Sequence, residues 1–218
     1  MKEQEATLAF WSTVMIAFFA LLFLLAIILF PIEQFKDLAS YSAGYGLGSI
    51  APFIPGFFIA ILHFPFLIGL YCFARVDRKV YALTGGVFGG AYALLASVNY
   101  FTQLTFVFRN ITAGRAGAVE QFLLDDTHSF MFALEILAYF FLFIACLFWA
   151  RLFLAGTLDR WVRVLLWGTG VIGLLGSLGY VLESRSLELC ITLAALPYTA
   201  AMILLILRFG RLQKEIAE

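Results

Sequence analysis

LAFWSTVMIAFFALLFLLAIILF, residues 8 to 30, is an apolar run of 23 residues without a charged side chain, and Pro31 stops it. A helix of that length rises by about 1.5 Å per residue and spans roughly 30 Å, the thickness of a bilayer's hydrocarbon core. No water reaches the backbone there, so every N–H and C=O must pair within the segment, and the run predicts a membrane-spanning helix. Its apolar core is longer than the roughly 7 to 15 residues of a secretory signal, and no small-x-small cleavage site follows, which favours a retained span.

The same reasoning predicts spans over Ile50 to Phe73, Val80 to Gln103, Ser129 to Ala150, Trp161 to Leu182 and Leu189 to Leu207. The expected fold is all-α, a polytopic membrane protein whose 218 residues form a single transmembrane domain of six helices. Composition agrees: 63% of residues are hydrophobic and 13% charged, with a mean hydropathy of +0.99. A soluble domain carries about 25% charge, so soluble and disordered classes are excluded. Fourteen basic residues balance fourteen acidic ones, which leaves no basic field for a nucleic acid.

Short loops rich in Lys and Arg mark the cytoplasmic side. Lys2, Arg75, Arg78, Lys79, Arg151, Arg160, Arg163, Arg208, Arg211 and Lys214 fall at one end of the proposed bundle; Lys36, Arg109, Arg115 and Arg185 fall at the other. Ten against four predicts an inner (plasma) membrane protein with both termini cytoplasmic. The two outer loops are long. Residues 31 to 47 carry Tyr41, Tyr45 and several glycines and suit the headgroup region, while residues 113 to 124 fit a short interfacial amphipathic helix with Val119, Phe122 and Leu123 on one side.

Small residues let helices approach in lipid. Gly85, Gly86, Gly89 and Gly90 in the third span, and Gly168, Gly170, Gly173, Gly176 and Gly179 in the fifth, therefore predict that these are the most buried helices. Pro52, Pro55 and Pro65 fall in or at the second span, and Pro65 predicts a bend near Leu62, beside His63.

An ionisable side chain inside lipid costs about 2.5 to 3.5 kcal/mol on insertion scales and calls for a partner or a wet cavity. Glu135 is the only charged residue of the fourth span. His128, Glu135 and Tyr139 are spaced by seven and then four, which places them on one helical face, and Tyr92, Asn99 and Gln103 repeat that spacing in the third span. The expected site is an outward-facing polar pocket of Asn99, Gln103, His128 and Glu135, with Tyr92 and Tyr139 deeper and His63 as its floor. Its alternative is a structural hydrogen-bond network that binds nothing. Glu183 and Arg185 read as an interfacial pair at the end of the fifth span.

The stretch SVNYFTQLTFV (97 to 107), followed by Thr127-His128-Ser129 and by ALEILAY (133 to 139), resembles an uncharacterised family of bacterial six-span integral membrane proteins. That family has an Asn-Tyr-x-x-Gln-Leu segment, then Asn-Pro-His and Ala-Leu-Glu-x-Leu-Gly-Tyr. Here Asp126-Thr127 replaces Asn-Pro, and Ala138 replaces the glycine. The resemblance implies no activity, and it makes the four pocket residues motif residues.

The residues point first to binding or transport of a small amphiphilic or lipid-like ligand. A membrane enzyme using His128 and Glu135 as an acid/base pair is a second reading, although no nucleophile motif accompanies them. A sensor or protein-binding role through the outer loops is a third. No cofactor or metal is expected: Cys72, Cys146 and Cys190 lack ligand spacing, and a set of His63, His128 and Glu135 would have to converge from different depths.

Overall fold

A computed structural model describes residues 3 to 30 and 37 to 217. Pro31, Lys36 and Lys2, used above as a stop signal and in the charge count, lie outside the described residues. Helix α1 covers Glu3–Leu29; α2 (Leu38–Gly44) and the single turn α3 (Leu47–Ile50) lead into α4 (Phe53–Phe73). Helix α5 (Lys79–Thr102) continues through a π-helical turn (Gln103–Val107) into α6 (Phe108–Thr112). Helices α7 (Phe130–Trp149), α8 (Gly156–Val181) and α9 (Arg185–Ala217) complete the chain.

Six of these segments are long and apolar enough to cross a membrane, and the chain is a multi-pass membrane protein. The spans pack in chain order and close on themselves: α1 on α4, α4 on α5, α5 on α7, α7 on α8, α8 on α9, and α9 back on α1. Gln213 Nε2 donates to Thr7 Oγ1 at 3.2 Å, so the two ends of the chain meet at one end of the ring. At that end Asp159 is buried and accepts from Arg208 Nε at 3.0 Å and from the Ala155 N–H at 3.3 Å, which ties α9 to the start of α8. Aromatic rings fill the interior, with Phe66 edge-on to Trp149 and Phe73 against Phe153 and Phe209.

Glycine sets the helix spacing, though on fewer faces than its pattern implies. A Cβ at Gly85 or Gly89 would lie 2.5 or 2.6 Å from the Trp149 ring, while Gly86 faces open space and Gly90 has only Leu67, at 3.9 Å. One GxxxG pair packs and the other faces outward, so α4, and not the third span, is the most buried of the six. Helix α8 is wedged on two sides: Gly170 and Gly173 press on Leu147 and Phe143 of α7, and Gly176 and Gly179 on the backbone of α9.

The ends also depart from expectation. Residues 113 to 124 form two 3-10 turns, Ala116–Ala118 and Glu120–Phe122, in place of one amphipathic helix. Val119 and Leu123 still bury, but against Val107 and Ile111 of the extended third span and Leu38, Tyr41 and Tyr45 of the first loop. This second small core makes a cap, and the tyrosines expected among lipid headgroups belong to it. No ion pair joins Glu183 to Arg185 among the described residues. Glu183 has φ 52°, and the next N–H, that of Ser184, reaches Gly179 O at 2.8 Å, a helix stop usually made by glycine. The second span runs as one helix through Pro65.

Gly176→Ala places a methyl 2.4 Å from Ile191 N and must push α8 from α9. We expect it to lose about 1 to 3 kcal/mol of stability. Gly86→Ala meets nothing and should be neutral or gain up to about 1 kcal/mol. Thermal unfolding of the two variants in detergent separates these outcomes.

Candidate functional site

Glu135 opens one turn into α7 and is 8% exposed. Its Oε2 accepts from Asn99 Nδ2 at 2.6 Å and its Oε1 from the Tyr100 hydroxyl at 2.8 Å. Both donors belong to α5. Asn99 Nδ2 also reaches the Met131 carbonyl at 3.3 Å, which orients its amide with nitrogen toward the two acceptors and leaves its buried Oδ1 without a partner. The Tyr100 hydroxyl lies 3.2 Å from that of Tyr139, one turn below Glu135. No Lys, Arg or His comes within ion-pair distance of Glu135 among the described residues.

Deeper in the bundle, the Tyr92 ring lies 5.7 Å from Tyr139 and 4.9 Å from His63. His63 is fully buried; its Nδ1 lies 2.8 Å from Ile59 O and its Nε2 2.6 Å from the Tyr198 hydroxyl of α9. A carbonyl only accepts, so Nδ1 carries a proton, and a neutral ring then takes the Tyr198 proton at Nε2. Below His63, Phe66, Leu70 and Phe73 close the interior with apolar side chains. The polar line is therefore blind: it runs from the loop end to about mid-bundle and stops.

A cavity of about 40 Å³ adjoins this line, lined by Phe23 of α1, Gly56 and Ile59 of α4, Tyr92 and Tyr100 of α5, and Tyr139 of α7. Gly56 is needed where it stands, since a Cβ there would lie 3.0 Å from the Tyr100 ring. The α1 wall is thin. All buried residues of α1 (Ala6, Ala9, Ser12, Thr13 and Ile16) lie in its first half, and the half that carries Phe23 has none.

Of the predicted residues, Asn99, Glu135, Tyr92, Tyr139 and His63 are brought together. Gln103 and His128 are not. Gln103 is buried one turn above Asn99, but its Nε2 donates to Phe122 O at 2.7 Å and its Oε1 accepts the Leu124 N–H at 3.4 Å. Its amide clasps the cap, at the start of the π turn closed by Phe108 N–H on Gln103 O. His128 is exposed, because α7 begins only at Phe130: Ser129 caps the helix by accepting the Phe132 N–H, and the His128 backbone turns on Asp126. Helical spacing from Glu135 does not extend to a residue outside the helix. No hydrogen bond or ion pair joins His128 to Glu135, and no group of three His, Cys, Asp or Glu side chains that could hold a metal occurs among the described residues.

Tyr100 was the residue missed. It adjoins Asn99 and so falls off a face counted in steps of three, four and seven; Glu135 faces the groove between the two and takes both. Tyr198 follows Pro197 and carries no spacing signal of its own.

In the cap, outside the spans, the Tyr41 hydroxyl donates to Asp125 Oδ2 at 2.5 Å. Burial pushes the Asp125 carboxyl above its usual range, and the Tyr41 hydrogen bond opposes part of that rise. Burial and then the Asp125 charge raise the hydroxyls of Tyr41 and Tyr45.

Comparison with protein-family models, with curated proteins and with solved structures found no match. The functional reading rests on the geometry.

Two outcomes are expected of the cap. Gln103→Ala removes two bonds to loop backbone, worth about 1 to 3 kcal/mol together, and should speed hydrogen exchange across Phe122 to Leu124 while the melting of the bundle holds. Because the folded carboxyl of Asp125 sits above its unfolded value, the folded cap binds that proton more readily. Its stability should be greatest below the ordinary Asp range and fall as pH rises through the raised value. Exchange protection of residues 119 to 125, corrected for intrinsic rate, should thus be higher at acid pH than at neutral pH.

Proposed function

We propose that this protein binds, and in doing so transports or senses, a small amphiphile whose polar head enters the Tyr92–Tyr100–Tyr139 cavity beside Glu135 while its tail stays against lipid. The observation that carries this reading is the placement of the cavity. It lies between the half of α1 that holds no fully buried residue and the helices α4, α5 and α7, where a ligand would enter sideways past Phe23.

The size of the cavity supports a head group over a whole ligand. Pockets for drug-sized molecules measure about 300 to 1,000 Å³, against about 40 Å³ here. The blind end at His63 and Tyr198 speaks against a channel or a proton wire through this conformation, since a relay needs polar groups on both sides of the midplane. Ten of the fourteen basic residues belong to the end that carries both termini. On that bias we assign this end to the cytoplasm and, with the resemblance carried by residues 97 to 107 and 127 to 139 to a bacterial family, the chain to a bacterial inner membrane. The cavity then opens toward the outer leaflet.

The protein extracted in mild detergent should retain an amphiphile near one per chain in native mass spectrometry. Gly56→Leu puts a side chain against Tyr100 and into the cavity; overpacking of about 1 to 3 kcal/mol corresponds to roughly a ten- to hundredfold loss of retention. Equal retention by the folded variant would show that the bound molecule sits elsewhere.

A further inference from the structure

The cavity also carries information on the charge of what it takes. We infer that the head group is a cation, and specifically a primary ammonium. This rests on the binding reading above and specifies its ligand.

The Glu135 carboxylate is the origin of a directed hydrogen-bond chain. In the ammonium-bound state proposed here Glu135 is ionised and only accepts, so the Tyr100 hydroxyl, 2.8 Å from Oε1, spends its single proton on it. The Tyr139 hydroxyl, 3.2 Å away, can then bond to Tyr100 only by donating to its oxygen. Each proton points toward the carboxylate, and the remaining lone pairs of Tyr100 and Tyr139 face away from it. Both tyrosines line the cavity. The third, Tyr92, is 3% exposed, and its hydroxyl has no hydrogen-bond partner among the described residues.

Tyr100 and Tyr139 thus present acceptors alone, and Tyr92 presents lone pairs and one proton. An ammonium group has three N–H donors and no acceptor, which matches three tyrosine oxygens, whereas a carboxylate or phosphate would find one donor, the Tyr92 hydroxyl, and otherwise meet lone pair against lone pair. Phe23, Tyr92, Tyr100 and Tyr139 all line the cavity, and any ring that turns its face to a desolvated cation adds attraction. Glu135 has no cationic side chain within ion-pair distance among the described residues, and a bound ammonium one hydroxyl away would balance its ionised form at short range. Size selects within the class. A water needs about 10 to 15 Å³ of such space, so about 40 Å³ accepts a primary ammonium and the first carbon of its chain. A trimethylammonium requires the walls to move.

The test uses the full chain in phosphatidylcholine nanodiscs at pH 7, with empty nanodiscs subtracted, titrated calorimetrically with n-hexylamine, 1-hexanol, sodium hexanoate and hexyltrimethylammonium. Hexylamine should bind at least tenfold more tightly than hexanol and more tightly than hexyltrimethylammonium, and hexanoate should not bind. Glu135→Gln should bring hexylamine down to the level of hexanol. If that variant does not fold, the ranking of the four probes on the unaltered chain still decides. Equal binding of hexylamine and hexanol overturns the cation and leaves the amphiphile site standing. A preference for hexanoate, expected if the carboxyl holds a proton and the hydroxyls turn about, overturns it likewise. Equal binding of hexyltrimethylammonium overturns the primary ammonium, and no binding of any probe overturns the site as well.

Discussion

The carboxylate of Glu135 must be satisfied by protein, because lipid offers it nothing. Two donors to a charged acceptor are each worth about 1.5 to 3 kcal/mol net, comparable with the insertion cost of about 2.5 to 3.5 kcal/mol. Both donors come from consecutive residues of α5, so the pair of bonds sets the rotation of α5 against α7 as well as their axial register. Once that register is set, Tyr100 and Tyr139 stand hydroxyl to hydroxyl, and Tyr92 falls between Tyr139 and His63. A single buried carboxyl thereby organises a polar line contributed by four of the six spans.

Around that line the ring is built for close approach on one side and loose contact on the other. Glycines seat α8 against both α7 and α9, and Gly85 and Gly89 seat α5 on Trp149. Helix α1 has fully buried residues along its first half only, and the cavity lies against the other half. A small core of Val107, Ile111, Val119 and Leu123 closes the loop end above the site. Gln103 is the joint between these parts, since it stands one turn above the Glu135 ligand Asn99 and holds the loop by its backbone. The only π-helical turn among the described residues begins there, a local irregularity that lets the third span continue into the cap.

Much of this was legible in the residues. The six apolar runs became the six spans, and the periodicity brought Asn99 level with Glu135, to which it is hydrogen-bonded. It failed where its assumption failed. His128 lies two residues before α7 starts, so its seven-residue spacing from Glu135 has no geometric meaning. Gln103 does share the face of Asn99, yet a primary amide bonds to whatever backbone lies level with it, and at that height the neighbour is the loop. Tyr100 lies off that face by one residue, and a ridge-and-groove contact admits it. The amphipathic pattern of residues 113 to 124 identified the right buried side chains but not the local backbone, because Val119 and Leu123 pack downward in separate turns.

Hydropathy and span length sufficed to establish the solvent, the helices and their number, because an unpaired backbone group in hydrocarbon is too costly for any other structure. They also isolated the one mid-span carboxylate. Which groups satisfy that carboxylate, and that the line beyond it ends blind at His63 and Tyr198, depend on how each helix is turned about its axis and where it begins. Those are properties of the packed ring. A change of one residue in a helix start, or of a fraction of a turn in its rotation, exchanges a bound side chain for an exposed one without altering the apolar pattern.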